Sequence, residues 1–156
     1  RQPRTHGLSI RRDKRNLAMK VTGLNGREYT LDLKKYSKKR SKCSFYHKIA
    51  RDLLSEMFLG YSIYEEVKLP GSVKPSKKSV LYLDFYIPNA TMAVEVHGEQ
   101  HFKYVPYFHK SKAGFAMAKK RDLDKKEWCR VNHIELVELR WDDSIEYWRD
   151  KIERRR

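Results

Sequence analysis

A chain of 156 residues is long enough for one domain with its own core and too short for two of ordinary size. With 35% charged and 40% hydrophobic residues, no apolar run of membrane-spanning length and no apolar signal-peptide core, the composition points to an intracellular protein, not a secreted or membrane-embedded one. The formal charge of +15 is uneven: through Lys42 there are 14 Lys and Arg against 3 acids, a local +11 that makes a polyanion the expected partner.

Residues 1–15 are polar and basic without periodicity and are expected to be an extended arm. From Lys20 to Leu33, β-forming residues flank Asn25-Gly26, a strong hairpin signal. Residues 1–42 therefore read as a basic N-terminal arm and β-hairpin ahead of a domain over 43–156. Lys20, Arg27, Lys34, Lys35, Lys38, Lys39 and Arg40 are its candidates for contact with nucleic acid, although the hairpin can equally be a structural flap. Ser44 is a candidate N-cap for a helix whose apolar stripe is Phe45, Ile49, Leu53 and Met57, broadened by Leu54 and Phe58 and closed by Gly60. A strand over Ser62–Leu69 and a loop from Pro70 to Ser79 follow, the loop carrying Lys74, Lys77 and Lys78 within reach of phosphate.

Next come two strand-like runs, Val80 to Ile87 and Met92 to His97, separated by a turn at Pro88-Asn89-Ala90. Alternation puts Glu95 and His97 on one face and Val94 and Val96 on the other, and pairing across the turn brings Asp84 alongside Glu95. Two carboxylates on neighbouring strands suit a hard divalent cation that keeps most of its waters. The run Phe102 to Lys110 interleaves aromatic and basic residues, fit either for base stacking or for packing a loop. Lys112 to Arg130 reads as a helix with Phe115, Ala118 and Leu123 apolar, and with Lys119 and Arg121 on a basic face that also includes Lys120, Lys125 and Lys126. Asn132-His133 stops it, Ile134–Trp141 is a strand expected to run parallel to its neighbour, and Asp142-Asp143-Ser144 opens a last helix. Two cysteines, Cys43 and Cys129, supply neither a disulfide framework nor a paired zinc motif.

The order Asp84, ten residues, Glu95-Val96-His97 resembles the D-(D/E)-x-K signature of the restriction-endonuclease-like nuclease superfamily, with His97 in place of the lysine. Within it, Asp84-Phe85, Ile87-Pro88, His97-Gly98 and His101 are similar to the very-short-patch-repair endonucleases and to phage homing endonucleases with an E-D-x-H-D motif. The likeness runs from Phe45 to Trp141 and implies an α/β fold with an αβββαβ core, a central mixed sheet flanked by helices, as a nuclease domain over 43–156.

It also implies a metal-dependent DNA endonuclease, nicking or cutting both strands, with Mg2+ or Mn2+ held by Asp84, Glu95 and the backbone carbonyl of Val96. Glu56 would approach the metal from the first helix. His97 or His101 would transfer the proton, Gln100 would position a water, and Asp122 would be the final acid of the motif. His101 follows the His-Gly pair one residue sooner than in those relatives, so both histidines stand as candidates. DNA is the partner this implies, with RNA possible and a phage or mobile-element origin. The alternatives are an inactive nucleic-acid-binding module on the same fold and an RNA-associated basic protein.

Overall fold

Two apolar runs separated by the 3-10 turn Pro88–Ala90 make the centre of the structure. Strands β4 (Leu81–Ile87) and β5 (Met92–His97) pair antiparallel, Phe85 opposite Val94 and Ile87 opposite Met92. The structure is a computed structural model that describes residues 18–74 and 79–156. The arm expected over residues 1–15, together with Lys77 and Lys78, lies outside the described residues.

In chain order the elements are β1 (Ala18–Thr22), β2 (Glu28–Asp32), the short α1 (Leu33–Tyr36), α2 (Phe45–Met57), β3 (Tyr64–Leu69), β4 and β5. There follow a 3-10 turn at Glu99–His101, a one-turn α3 (Pro106–His109), α4 (Lys112–Val131), β6 (Glu135–Arg140) and α5 (Ile145–Arg155). The main sheet runs β3-β4-β5-β6. Its first three strands are antiparallel, and β6, reached through α4, lies parallel to β5 as the crossover requires. The chain is thus a mixed α/β fold around a four-stranded mixed sheet flanked by helices. No helix among the described residues is long and apolar enough to cross a membrane.

Alternation divides the buried residues between two cores. Ala50, Leu53, Leu54 and Met57 of α2 and Trp148 and Ile152 of α5 pack on Phe85, Ile87, Met92, Val94, Val137 and Leu139. Ser44 caps α2 by accepting from the His47 amide, as expected. Phe45, expected on the stripe, is instead exposed, because the buried place in the first turn goes to His47, stacked on Phe85 at 4.4 Å.

In the second core Val21, Leu31 and Leu33 pack with Val67, Leu69, Leu81, Leu83, Trp128 and Cys129. The hairpin is therefore built into the domain. Its Thr22 amide donates to Asn132 Oδ1 at 2.7 Å, and Asn132 Nδ2 returns a bond to the Thr22 carbonyl at 2.9 Å. Gly71 has φ +74, and a Cβ on it would lie 2.5 Å from the Gly23 Cα, so only glycine allows the hairpin loop to sit this close. The hairpin loop is wider than a two-residue turn, because the Gly23 amide already closes on the Arg27 carbonyl and Thr22 faces Glu28. Helix α4 buries Trp128 and Cys129 near its end, whereas Leu123, one of its apolar residues, is 61% exposed.

Candidate functional site

Glu95 and His97 project from β5 to the face covered by α4, and Asp84 of β4 shares that face with Tyr86, a member of the α4 core. Regular pairing stops around Asp84. On one side β3 pairs Glu65 with Phe85 and Val67 with Leu83, skipping Glu66, which has φ +47; on the other, the paired residues of β5 end at Val94. The carboxylates take over backbone amides there. The Asp84 amide donates to Glu95 Oε2 at 2.7 Å, and the Val96 amide donates to Asp84 Oδ2 at 2.9 Å. Each strand is tied to the other through the acid facing it.

The price is crowding of like charge. Glu95 is only 2% exposed. Burial first, and the Asp84 charge second, push its pKa well above the usual carboxylate range. Lys125 of α4 opposes this, its Nζ donating to Glu95 Oε1 at 2.8 Å. Burial works against the Lys125 charge, but Glu95 and Asp84 outweigh it and hold its pKa up. Asp84 Oδ1 faces the Arg40 guanidinium at 3.9 Å, and Arg40 also lies 3.6 Å from Glu66.

Beside the acids lies a chain of imidazoles and carboxylates. His97 Nε2 meets Glu138 Oε2 at 2.8 Å, His97 Nδ1 lies 3.0 Å from His101 Nδ1, and His101 Nδ1 lies 2.9 Å from Asp122 Oδ2. The His97 bond brings Glu138 down to about 2. Burial works to raise Asp122, but the bond to His101 and the nearby positive groups outweigh it and hold the carboxyl below its ordinary range. This chain lines a cavity of about 220 Å3 together with Phe102, Lys119, Leu123, Lys126, Arg140 and Lys151. Lys119 Nζ donates to the His101 carbonyl at 3.0 Å, and the Arg140 guanidinium covers the Phe102 ring at 3.9 Å. Phe102 is thus packed in the cavity wall, whereas Tyr107 is 84% exposed.

Of the residues singled out in the sequence, Asp84, Glu95, His97, His101 and Asp122 converge. Val96 takes part through its amide. Gln100 folds back over Gly98, its Oε1 2.6 Å from where a Cβ on that glycine would stand. Glu56 does not converge: it is exposed and paired with Arg149 of α5 at 2.9 Å. Its helix packs on the Val94 side of the sheet, opposite to Glu95 and His97.

Lys20, Arg27, Lys34, Lys35, Lys38, Lys39, Lys119 and Arg121 are exposed, Lys20 beside Glu28 at 3.4 Å, while Arg40 is half-buried against Asp84. Lys35 and Lys38 border a groove with Tyr36, Glu66, Lys68 and Tyr82. The sequence had not assigned Lys125 or Glu138 to the site. Lys125 lies three residues after Asp122 on α4, a helical spacing that gives both the same face; Glu138 enters only because β6 lies parallel to β5, opposite Glu95.

No protein-family model matches the chain, and no solved structure matches it. Two viral proteins are similar over part of their lengths. "Uncharacterized protein 307L" of Invertebrate iridescent virus 6 is 39% identical over 59 residues, 38% of this chain and 30% of that protein. "Uncharacterized protein 094L" of Frog virus 3 (isolate Goorha) is 32% identical over 77 residues, 49% of this chain and 50% of that protein. The matched regions thus span at most half of these relatives.

Proposed function

We propose that the protein is a metal-dependent endonuclease that hydrolyses phosphodiester bonds in DNA, on a restriction-endonuclease-like αβββαβ core. The observation that carries the reading is the meeting of Asp84 and Glu95 at a break in the strand ladder, on the same face as the His101–Asp122 pair. Mg2+ or Mn2+ fits the donor set. Each acid gives one oxygen to a backbone amide and turns the other toward a cationic side chain, Arg40 or Lys125, and a divalent cation would offset the burial and the Asp84 charge that raise Glu95. Held by Asp84 and Glu95, the metal would supply charge for the phosphate and a water of lowered pKa.

The chain's own groups do the rest. His101 donates Nδ1–H to Asp122, which leaves Nε2 with a lone pair to take the proton of the attacking water, and Asp122 stabilises the imidazolium that forms. Lys125 offsets the charge of the acid pair from α4. Lys119, Arg121, Lys35 and Lys38, all exposed, supply salt-sensitive attraction for the polyanion.

One observation favours a second reading, a module that binds nucleic acid without cutting it: Lys125 and the Asp84 amide already engage both oxygens of Glu95. Supercoiled plasmid incubated with the protein and Mg2+, Mn2+ or chelator, beside Asp84→Ala, separates the two. Metal-dependent nicking that disappears in the variant supports cleavage. Binding in a gel shift with no nicking under any metal sinks the nuclease reading, and cleavage of an RNA substrate alone corrects the substrate.

A further inference from the structure

The imidazole chain holds more acceptors than protons. Glu138 Oε2, 2.8 Å from His97 Nε2, is an ionised carboxylate and accepts only, so His97 donates from Nε2 and its neutral ring presents a lone pair at Nδ1. That lone pair lies 3.0 Å from His101 Nδ1, which lies 2.9 Å from Asp122 Oδ2. Three ligand-type atoms therefore surround a single proton, the one on His101 Nδ1. One ligand atom of each of the three residues lies within 4.8 Å of those of the other two, on the wall of an open cavity. We propose that His97 Nδ1, His101 Nδ1 and Asp122 Oδ2 form a site for a borderline divalent transition metal of the zinc class, separate from the Asp84–Glu95 pair.

Two imidazoles and one carboxylate are the donor set of zinc-type ions and a poor one for magnesium, which prefers oxygen and water. Donors about 2.0–2.1 Å from a tetrahedral ion stand roughly 3.3 Å apart, so the 3.0 and 2.9 Å contacts open by a few tenths of an ångström and the His97–Asp122 spacing adjusts with them. Glu138 already fixes the ring and tautomer of His97, as an acid outside the ligand set does in zinc proteins. The cavity leaves the fourth position to water or to an anion drawn in by Lys119, Lys126 and Arg140. The binding does not rest on the nuclease reading. If that reading holds, zinc inhibits: His101 then ligates through Nδ1 and carries its proton on Nε2, where it no longer accepts one.

Co2+ serves as the probe, titrated into the full chain without magnesium. The visible absorption of a four-coordinate cobalt is expected at one ion per chain, displaced by Zn2+ and unaffected by excess Mg2+. It is expected to vanish in His101→Ala and in the near-isosteric Asp122→Asn, to persist in Asp84→Asn, and to weaken by ~10-fold in Glu138→Gln. Circular dichroism identifies any variant that does not fold, and the conservative Asp122→Asn keeps the test decisive. No visible band, a band unchanged in folded His101→Ala and Asp122→Asn, or a band lost in Asp84→Asn overturns the site. Plasmid nicking is read separately, so a failed nuclease with an intact cobalt band sinks only the earlier reading.

Discussion

Two clusters of imidazole, carboxylate and basic side chain lie on opposite faces of one sheet, and they differ in what they leave unmet. Under α2, Glu65 receives Arg51 Nε at 2.6 Å and Arg51 Nη2 at 2.8 Å, His47 Nε2 at 3.1 Å and the Arg40 amide at 3.4 Å. Burial works against the Glu65 charge, yet these donors bring the carboxyl down to about 2. One acid faces a surplus of donors, and the cluster fastens the Arg40 segment to β3.

Under α4 the balance is reversed. Asp84 and Glu95 are held together with the half-buried ammonium of Lys125 and, farther off at 3.9 Å, the Arg40 guanidinium, and burial and the Asp84 charge still drive Glu95 upward. A cluster whose donors outnumber its acids is complete as folded. One that forces acids together gains from a cation or a proton brought from outside, which is the condition for binding and catalysis.

The largest expected effect that tests this contrast is on cleavage. Asp84→Asn removes charge from the crowded pair while its amide oxygen can still accept from Val96, so nicking should fall to background with no loss of thermal stability. A matching drop in melting temperature would mean that the pair is structural. His101→Ala should lower metal-dependent cleavage by ~10²–10⁴-fold without weakening DNA binding in a gel shift.

Glu65→Gln is the mirror experiment. It leaves Arg51 and His47 facing an uncharged amide with one acceptor oxygen in place of two, should cost about 3 kcal/mol in urea unfolding, and should leave cleavage per folded molecule unchanged. The pH response follows from Glu65 together with Glu138 of the imidazole chain. Glu65 and Glu138 are lowered to about 2 from an ordinary 4.5, so the stability they contribute is present above pH 4.5 and is lost as pH falls toward 2. Glu65→Gln should make that acid limb shallower, as read by melting temperature against pH. Smallest of all, Arg121→Ala should reduce the log–log salt slope of DNA binding by about 1, if that exposed residue meets a phosphate.

The acid pair was legible because β4 and β5 are joined by a short turn: the register that sets Ile87 opposite Met92 carries Asp84 to Glu95 by counting alone. The helix cap at Ser44 and the parallel crossover to β6 were legible for the same local reasons. Glu56 and Phe45 went elsewhere than expected because helical spacing gives a residue's side of its own helix without saying what lies against that side.

From its residues alone this chain determined a basic, mixed α/β protein with two strand acids side by side, since alternation, capping and turn chemistry act over a few positions. Only the tertiary structure decided that α4 brings Lys125 to Glu95, that β6 brings Glu138 to His97, and that the hairpin closes the second core. Those meetings join residues far apart in sequence. They depend on which buried face covers which, a choice made by the packing of the whole molecule.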